Sequence, residues 1–231
     1  MQPRFVGRLS LADGVTVTNA VVGFLAVVAA TVEPSLSARL ILLGAIADGL
    51  DGVVARKFGS SAAGHYLDAL ADVATFVVAP AMLIAITAEQ AWPPADSLTR
   101  YAVAIAAAAA FVAMGVVRLG LYTAYDSDDD ATEGVQTTLA ATVLAALVLS
   151  IDILPGEPLA KALTVLGAVF AVLMVTEIRY PDLHPQDAAV MGVVQGLAIV
   201  LTGFAGTVFA FGLLVLAGAY LVFAPWLYWD R

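Results

Sequence analysis

The chain has 231 residues, of which 61% are hydrophobic, and its mean hydropathy is +0.95. Only about half of the residues of a typical soluble domain are apolar, so this composition excludes an ordinary soluble protein and indicates a membrane protein. The net charge of −9 argues against partners such as nucleic acid, and the absence of cysteine excludes disulfides and thiolate metal sites.

Apolar runs predict about eight membrane-spanning helices, since one helical span needs about 20 apolar residues. In chain order we expect helices at residues 15–31, 36–58, 62–87, 98–125, 135–151, 158–178, 188–204 and 206–224. The last two are separated only by small residues at 203–206, so a tight hairpin there gives eight spans and one bent helix gives seven. No linker divides the chain, and we expect residues 1–231 to form a single all-α transmembrane domain.

The basic residues predict the orientation of these spans, because positive charge collects on the cytoplasmic side of membranes. With the N-terminus inside, only three basic residues fall on the outer side: Arg39, Arg100 and Lys161. The cytoplasmic side then receives Arg4, Arg8, Arg56, Lys57, Arg118, Arg179 and Arg231. We therefore expect a multi-pass protein of the cell membrane. The acidic run Asp126, Asp128, Asp129, Asp130 and Glu133 is interpreted as a solvated loop.

Two stripes of polar residues face each other across the second and third spans. In the second span, one helical face carries Asp48, Asp51, Gly52, Ala55 and Arg56, at positions i, i+3, i+4, i+7 and i+8. In the third, Gly64, Asp68 and Asp72 recur every four residues. Because the connection is short, both stripes should lie at the same depth, close to the cytoplasmic surface.

Four carboxylates at this place require a cation, because each ionised side chain inside a bilayer costs at least about 3 kcal/mol and the four repel one another. An oxygen-only ligand set is typical of Mg²⁺ or Mn²⁺, and we expect one or two ions. Gly52 and Gly64 leave room for a phosphate or nucleotide, and Arg56 offers a guanidinium for phosphate oxygens. The alternative for single residues is a proton relay or an interhelical contact, and a cation-coupled secondary transporter is the rival function.

Written as a motif, Asp48-x2-Asp51-Gly52-x2-Ala55-Arg56-x7-Gly64-x3-Asp68-x3-Asp72 resembles the signature of the CDP-alcohol phosphatidyltransferase family. This resemblance implies a six-helix catalytic core at about 10–182, an extra C-terminal helical pair at about 187–225, and a homodimer. It implies that two ions are held by Asp48, Asp51, Asp68 and Asp72, with Asp72 also acting as the general base. It further implies that the CDP site is lined by Gly52, Ala55, Arg56 and Gly64.

Two further segments resemble the phosphatidylserine synthase branch of that family: residues 118–120 and residues 173–181. They suggest L-serine as the acceptor, with Arg118 or Arg179 pairing with its carboxylate and Glu177 receiving its ammonium. Either arginine could equally be a snorkelling anchor of a helix end. Inositol phosphate or glycerol phosphate is the alternative acceptor, although such anions should need more basic residues.

The lipid donor implied by the resemblance is CDP-archaeol or CDP-diacylglycerol, and apolar spans do not distinguish the two. Asn19, near the start of the first span, is a candidate for a hydrogen bond to the nucleotide or to its own backbone. We expect His65 to be a solvated residue of a cytoplasmic loop rather than a ligand.

Overall fold

The structure, a computed structural model, describes residues 9–125, 131–150 and 156–228. The helices in these ranges are α1 (Leu11–Ala30), α2 (Pro34–Phe58), α3 (Gly64–Asp72), α4 (Ala79–Ala91), α5 (Pro94–Tyr125), α6 (Thr137–Leu149), α7 (Glu157–Leu173), α8 (Pro185–Val200) and α9 (Gly203–Leu227). A π-helical segment, Val73–Val78, joins α3 to α4, so these three form one continuous helix. The predicted all-α architecture is confirmed.

Apolar helices and an apolar surface characterise a multi-pass membrane protein. Among the described residues, four helices are long and apolar enough to cross a membrane: Leu11–Ala30, Gly64–Ala91, Pro94–Ala124 and Gly203–Leu227. Large apolar side chains also point outward, as Phe204 at 84% exposure and Trp226 at 76% illustrate. A soluble monomer rarely exposes so many, whereas lipid solvates them. The acidic loop residues Asp126 and Asp128–Asp130, like Arg4, Arg8 and Arg231, lie outside the described residues.

Helix α6 lies at the centre of the bundle. All of its residues from Leu139 to Leu149 are buried, and it packs against α2, α7 and α9. The largest fully buried side chains around it include Phe76, Phe111 and Phe170. This core fixes the α2 and α3 segments that carry the aspartates.

The sequence sets the ends of α1 and α2. Ser10 caps α1, where its hydroxyl accepts from the Asp13 N–H at 3.1 Å and the Asp13 carboxylate accepts from the Ser10 N–H at 2.6 Å. Helix α2 begins at Pro34, which suits a first helical turn, and ends at Phe58; the following Gly59 has a φ of 83°, which favours glycine. Only residues 59–63 then connect α2 to α3, and both helices pack against α1.

A short β-ribbon lies beside the helices and was not predicted. Strand β1 (Ala131–Glu133) pairs antiparallel with β2 (Arg179–Pro181), and Thr132 lies opposite Tyr180. The prediction that a helix continues to residue 178 is wrong, because α7 ends at Leu173. The Val135 N–H bonds the Leu173 carbonyl at 3.0 Å, and the Gly134 N–H bonds the Ile178 carbonyl at 2.8 Å. These hydrogen bonds hold the residues after Leu173 in a non-helical conformation.

The C-terminal pair is a true hairpin, so the described ranges contain eight helical segments rather than seven, with α3, the π segment and α4 counted as one. Its turn lies at Leu201 and Thr202, two residues before the predicted position. Arg39 of α2 caps the C-terminal end of α8. Its guanidinium donates to the carbonyls of Ala198 at 3.0 Å and Leu201 at 2.8 Å, and also to that of Ile199. Satisfying these terminal carbonyls stabilises the helix end.

Candidate active site

Three aspartates from two helices converge at one point. Asp48 of α2 and Asp68 and Asp72 of α3 each offer a carboxylate oxygen, and these oxygens lie within 4.8 Å of one another. Asp72 is 8% exposed, and Asp48 and Asp68 are half-buried. The structure thus brings together three of the four aspartates that the stripes predict on facing helix surfaces.

Asp51 occupies a neighbouring position rather than the same cluster. It is 8% exposed and accepts a hydrogen bond from the Thr16 hydroxyl of α1 at 2.8 Å. Asp48 accepts a longer one, 3.5 Å, from the Thr138 hydroxyl of α6. Sequence spacing did not identify these threonines, since both belong to helices that are distant along the chain.

A cavity of about 580 Å³ opens beside the three clustered aspartates. Its opposite wall comes from α5 and from the chain around the start of α6, and includes Arg118, Tyr122, Thr132 and Gln136. We call this space the large cavity. It has room for a small polar molecule next to the carboxylates.

Arg118 is the cationic side chain of that opposite wall. It is 8% exposed, its Nη2 donates to the Thr132 hydroxyl at 2.9 Å, and its Cζ lies 5.6 Å from the centre of the Tyr122 ring. It lines the same cavity as Asp72. Thr132 belongs to β1, so the unpredicted ribbon orients the guanidinium that faces the aspartates.

A second cavity, of about 190 Å³, lies on the other side of Asp68 and is called the small cavity. Gly52, Ala55 and Gly64 line it together with Asp51. A Cβ at Gly64 would lie 3.2 Å from Ser60 Cβ and 3.3 Å from Asp13 Oδ1, so glycine keeps this wall open. Arg56 does not line the small cavity, but its Nη1 lies 3.5 Å from where a Cβ at Gly52 would stand.

Comparison with known proteins agrees with this geometry. The family model described as CDP-alcohol phosphatidyltransferase matches residues 9–178, which is most of the chain and contains Asp48, Asp51, Asp68 and Asp72. The chain belongs to this family. It is therefore a membrane-embedded transferase, and the rival interpretation as a transporter is set aside.

Two archaeal proteins are similar to this chain in sequence, and their names are more specific than that of the family. The archaetidylserine synthase of Methanothermobacter thermautotrophicus is 29% identical over 186 residues, which cover 78% of this chain and 73% of the relative. The CDP-diacylglycerol–serine O-phosphatidyltransferase of Methanocaldococcus jannaschii is 43% identical over 77 residues, which cover 33% of this chain and 35% of the relative. The first name describes an enzyme that synthesises archaetidylserine, and the second describes one that transfers a phosphatidyl group from CDP-diacylglycerol to serine.

CDP-alcohol phosphatidyltransferases use divalent metal ions, and the residues present fit such an ion. Asp72 Oδ1 is buried and has no hydrogen-bond partner among the described residues. A buried anionic oxygen without a partner is costly, and a hard divalent cation is the ligand that carboxylate oxygens prefer. The acidic cluster can hold metal, whereas zinc is disfavoured without cysteine or clustered histidine.

Four of the predicted site residues do not line either cavity: Asn19, Arg56, Glu177 and Arg179. Asn19 is fully buried, its carbonyl accepts from the Thr75 hydroxyl at 2.9 Å, and its side-chain Oδ1 packs close to Gly44. Glu177 and Arg179 are exposed, and Arg179 lies in β2 opposite Glu133. His65 is exposed, as expected, but it belongs to the first turn of α3 rather than to a loop, and it lines both cavities.

Proposed function

We propose that this enzyme transfers a phosphatidyl or archaetidyl group from a CDP-activated lipid to the hydroxyl of L-serine, and that CMP is released. The observation that carries the proposal is the position of Arg118, whose guanidinium shares the large cavity with Asp48, Asp68 and Asp72. A guanidinium pairs well with a carboxylate, which serine has and simple alcohols lack. The printed names of the two relatives support the same acceptor.

The two cavities suggest how the substrates divide the site. Gly52, Ala55 and Gly64 leave space in the small cavity for the cytidine end of the donor, with Arg56 beside Gly52 for a phosphate. The aspartates lie where the two cavities adjoin, and we place the diphosphate there. Serine then occupies the large cavity, on the Arg118 side.

Asp72 is the candidate general base. Its buried carboxylate would take the proton from the serine hydroxyl, and the serine oxygen would attack the lipid-side phosphorus of the diphosphate. The new oxygen–phosphorus bond forms as the bond between that phosphorus and the bridging oxygen breaks, and CMP leaves with the electron pair. When bound by Asp48, Asp51, Asp68 and Asp72, one or two Mg²⁺ or Mn²⁺ ions supply positive charge for the phosphate oxygens.

The small number of basic side chains in the large cavity favours serine over a phosphorylated acceptor. Among the described residues that line the large cavity, the basic side chains are Arg118 and His65. Inositol phosphate or glycerol phosphate would bring two further negative charges close to the aspartates and the diphosphate. Serine brings one carboxylate, which Arg118 can pair, and one ammonium, which the acidic wall attracts.

The site opens at the end of the bundle that we propose to face the cytoplasm. Arg56, Lys57, Arg118 and Arg179 lie at that end, which also contains the α2–α3 connection and the β-ribbon. This distribution follows the positive-inside rule, and it gives a water-soluble acceptor and CMP access from the cell interior. A homodimer in the cell membrane is the proposed assembly.

An acceptor screen tests the proposal. Purified protein with Mn²⁺ and either CDP-archaeol or CDP-diacylglycerol would receive L-serine, inositol phosphate or glycerol phosphate, and CMP release would be measured. We expect CMP release with L-serine and little with either phosphorylated polyol. Consumption of a phosphorylated polyol with serine ignored would refute the acceptor assignment.

A further inference from the structure

His65 occupies a position that the family signature does not include. It follows Gly64 on α3 and shares one helical face with Asp68 and Asp72, at positions i, i+3 and i+7. His65 and Asp68 both line the large cavity and the small cavity. A side chain common to both spaces lies where a substrate extending from one into the other must pass.

The surroundings of His65 are acidic, and among the described residues that line the small cavity no other side chain is basic. The small cavity has three carboxylates in its wall, those of Asp13, Asp51 and Asp68. Among the described residues in that wall, His65 is the one basic side chain and the one side chain with an N–H donor. A phosphate beside these carboxylates needs donors, and an imidazole N–H provides one in either protonation state.

We propose that His65 is a substrate-binding residue whose imidazole N–H donates a hydrogen bond to the phosphate that leaves with CMP. The inference rests on the proposed function, because it assumes that the nucleotide occupies the small cavity. It adds a protein donor for the nucleotide-side phosphate, while Arg118 serves the acceptor at the far wall of the large cavity. His65 is solvent-exposed, so its replacement should leave the fold intact.

CMP binding tests this role without any acceptor. Calorimetric titration of CMP into the full-length protein with Mn²⁺ would compare wild type with His65→Ala, His65→Lys and the control Lys57→Ala. Lys57 lies near the same surface at the end of α2, close to the Phe58 ring and outside the walls of both cavities. Losing one hydrogen bond to a charged group should raise the CMP Kd roughly tenfold in His65→Ala. The lysine variant should restore binding to within about threefold of wild type, since an ammonium also donates to phosphate.

Two outcomes would overturn the role of His65. One is an unchanged CMP Kd in His65→Ala, or an equal loss in Lys57→Ala, which would indicate a general surface-charge effect. The other is a raised KM for serine with CMP binding unaffected, which would place the side chain on the acceptor side. If wild type binds CMP but ignores serine, the acceptor assignment fails while the His65 test stands.

Discussion

Replacing Arg118 with glutamine removes the guanidinium that we assign to the serine carboxylate. The side chain is 8% exposed, so its ionic hydrogen bonds form away from bulk water. A hydrogen bond to a charged group contributes about 1.5–3 kcal/mol, which corresponds to a rise of roughly 10- to 150-fold in the KM for serine. Arg118→Lys keeps the charge without the planar fork and should fall between wild type and Arg118→Gln.

Thr132→Val is the matched control for this prediction. It removes the hydroxyl that accepts from Arg118 Nη2 at 2.9 Å but keeps the guanidinium in the cavity. The Thr132 hydroxyl orients the guanidinium and does not itself pair with the serine carboxylate, so we expect only an indirect loss of about 0.5–1.5 kcal/mol and a KM raised by roughly 2- to 12-fold. The two variants together separate the charge of Arg118 from its orientation.

The assay compares initial rates of CMP release with L-serine and with ethanolamine, which lacks the carboxylate. Arg118→Gln should reduce the rate with serine and leave the rate with ethanolamine nearly unchanged, so the preference for serine should shrink. Equal losses with both acceptors, or a KM for serine within twofold of wild type, would refute the pairing.

Three further predictions concern the base, the support of Asp51 and the C-terminal hairpin. Asp72→Asn should lower kcat by roughly 10²- to 10⁴-fold, as expected for loss of a general base, while the protein still binds CDP-lipid in a direct binding assay. Full activity in that variant would exclude Asp72 as the base. Thr16→Val should reduce kcat/KM roughly fivefold by removing a hydrogen bond of about 1 kcal/mol to Asp51, and Thr16→Ser should recover it; equal rates in both variants would show that the hydroxyl has no role. Arg39→Met should lower the melting temperature in detergent because it leaves α8 carbonyls without their donor, and an unchanged melting temperature would contradict that contribution.

The convergence of Asp48, Asp68 and Asp72 was accessible from the sequence because it depends on local geometry. Helical spacing of three and four residues puts side chains on one face, and the short connection of residues 59–63 starts α3 close to the end of α2. The apolar runs likewise predict the helices, since lipid requires long apolar segments. These features need no knowledge of which distant helices pack together.

The partners of these residues depend on distant packing and were not predictable. Thr16 reaches Asp51 only because α1 packs against α2, and Thr132 reaches Arg118 only because β1 pairs with β2. The three-residue strands are too short to show a pattern. In the sequence, only the spacing of His65 from Asp68 and Asp72 pointed to the site. That spacing was overlooked because the stripe of Gly64, Asp68 and Asp72 already explained the polar residues of this helix.

Manganese binding tests the central claim most directly. Electron paramagnetic resonance would count Mn²⁺ bound to purified wild type and to Asp48→Asn, Asp68→Asn and Asp72→Asn, with Glu89→Gln at the opposite end of the bundle as the control. We expect one or two tightly bound ions in wild type and in Glu89→Gln, and weakened or lost binding in each aspartate variant. Equal Mn²⁺ binding in all five proteins would contradict a metal centre at this cluster.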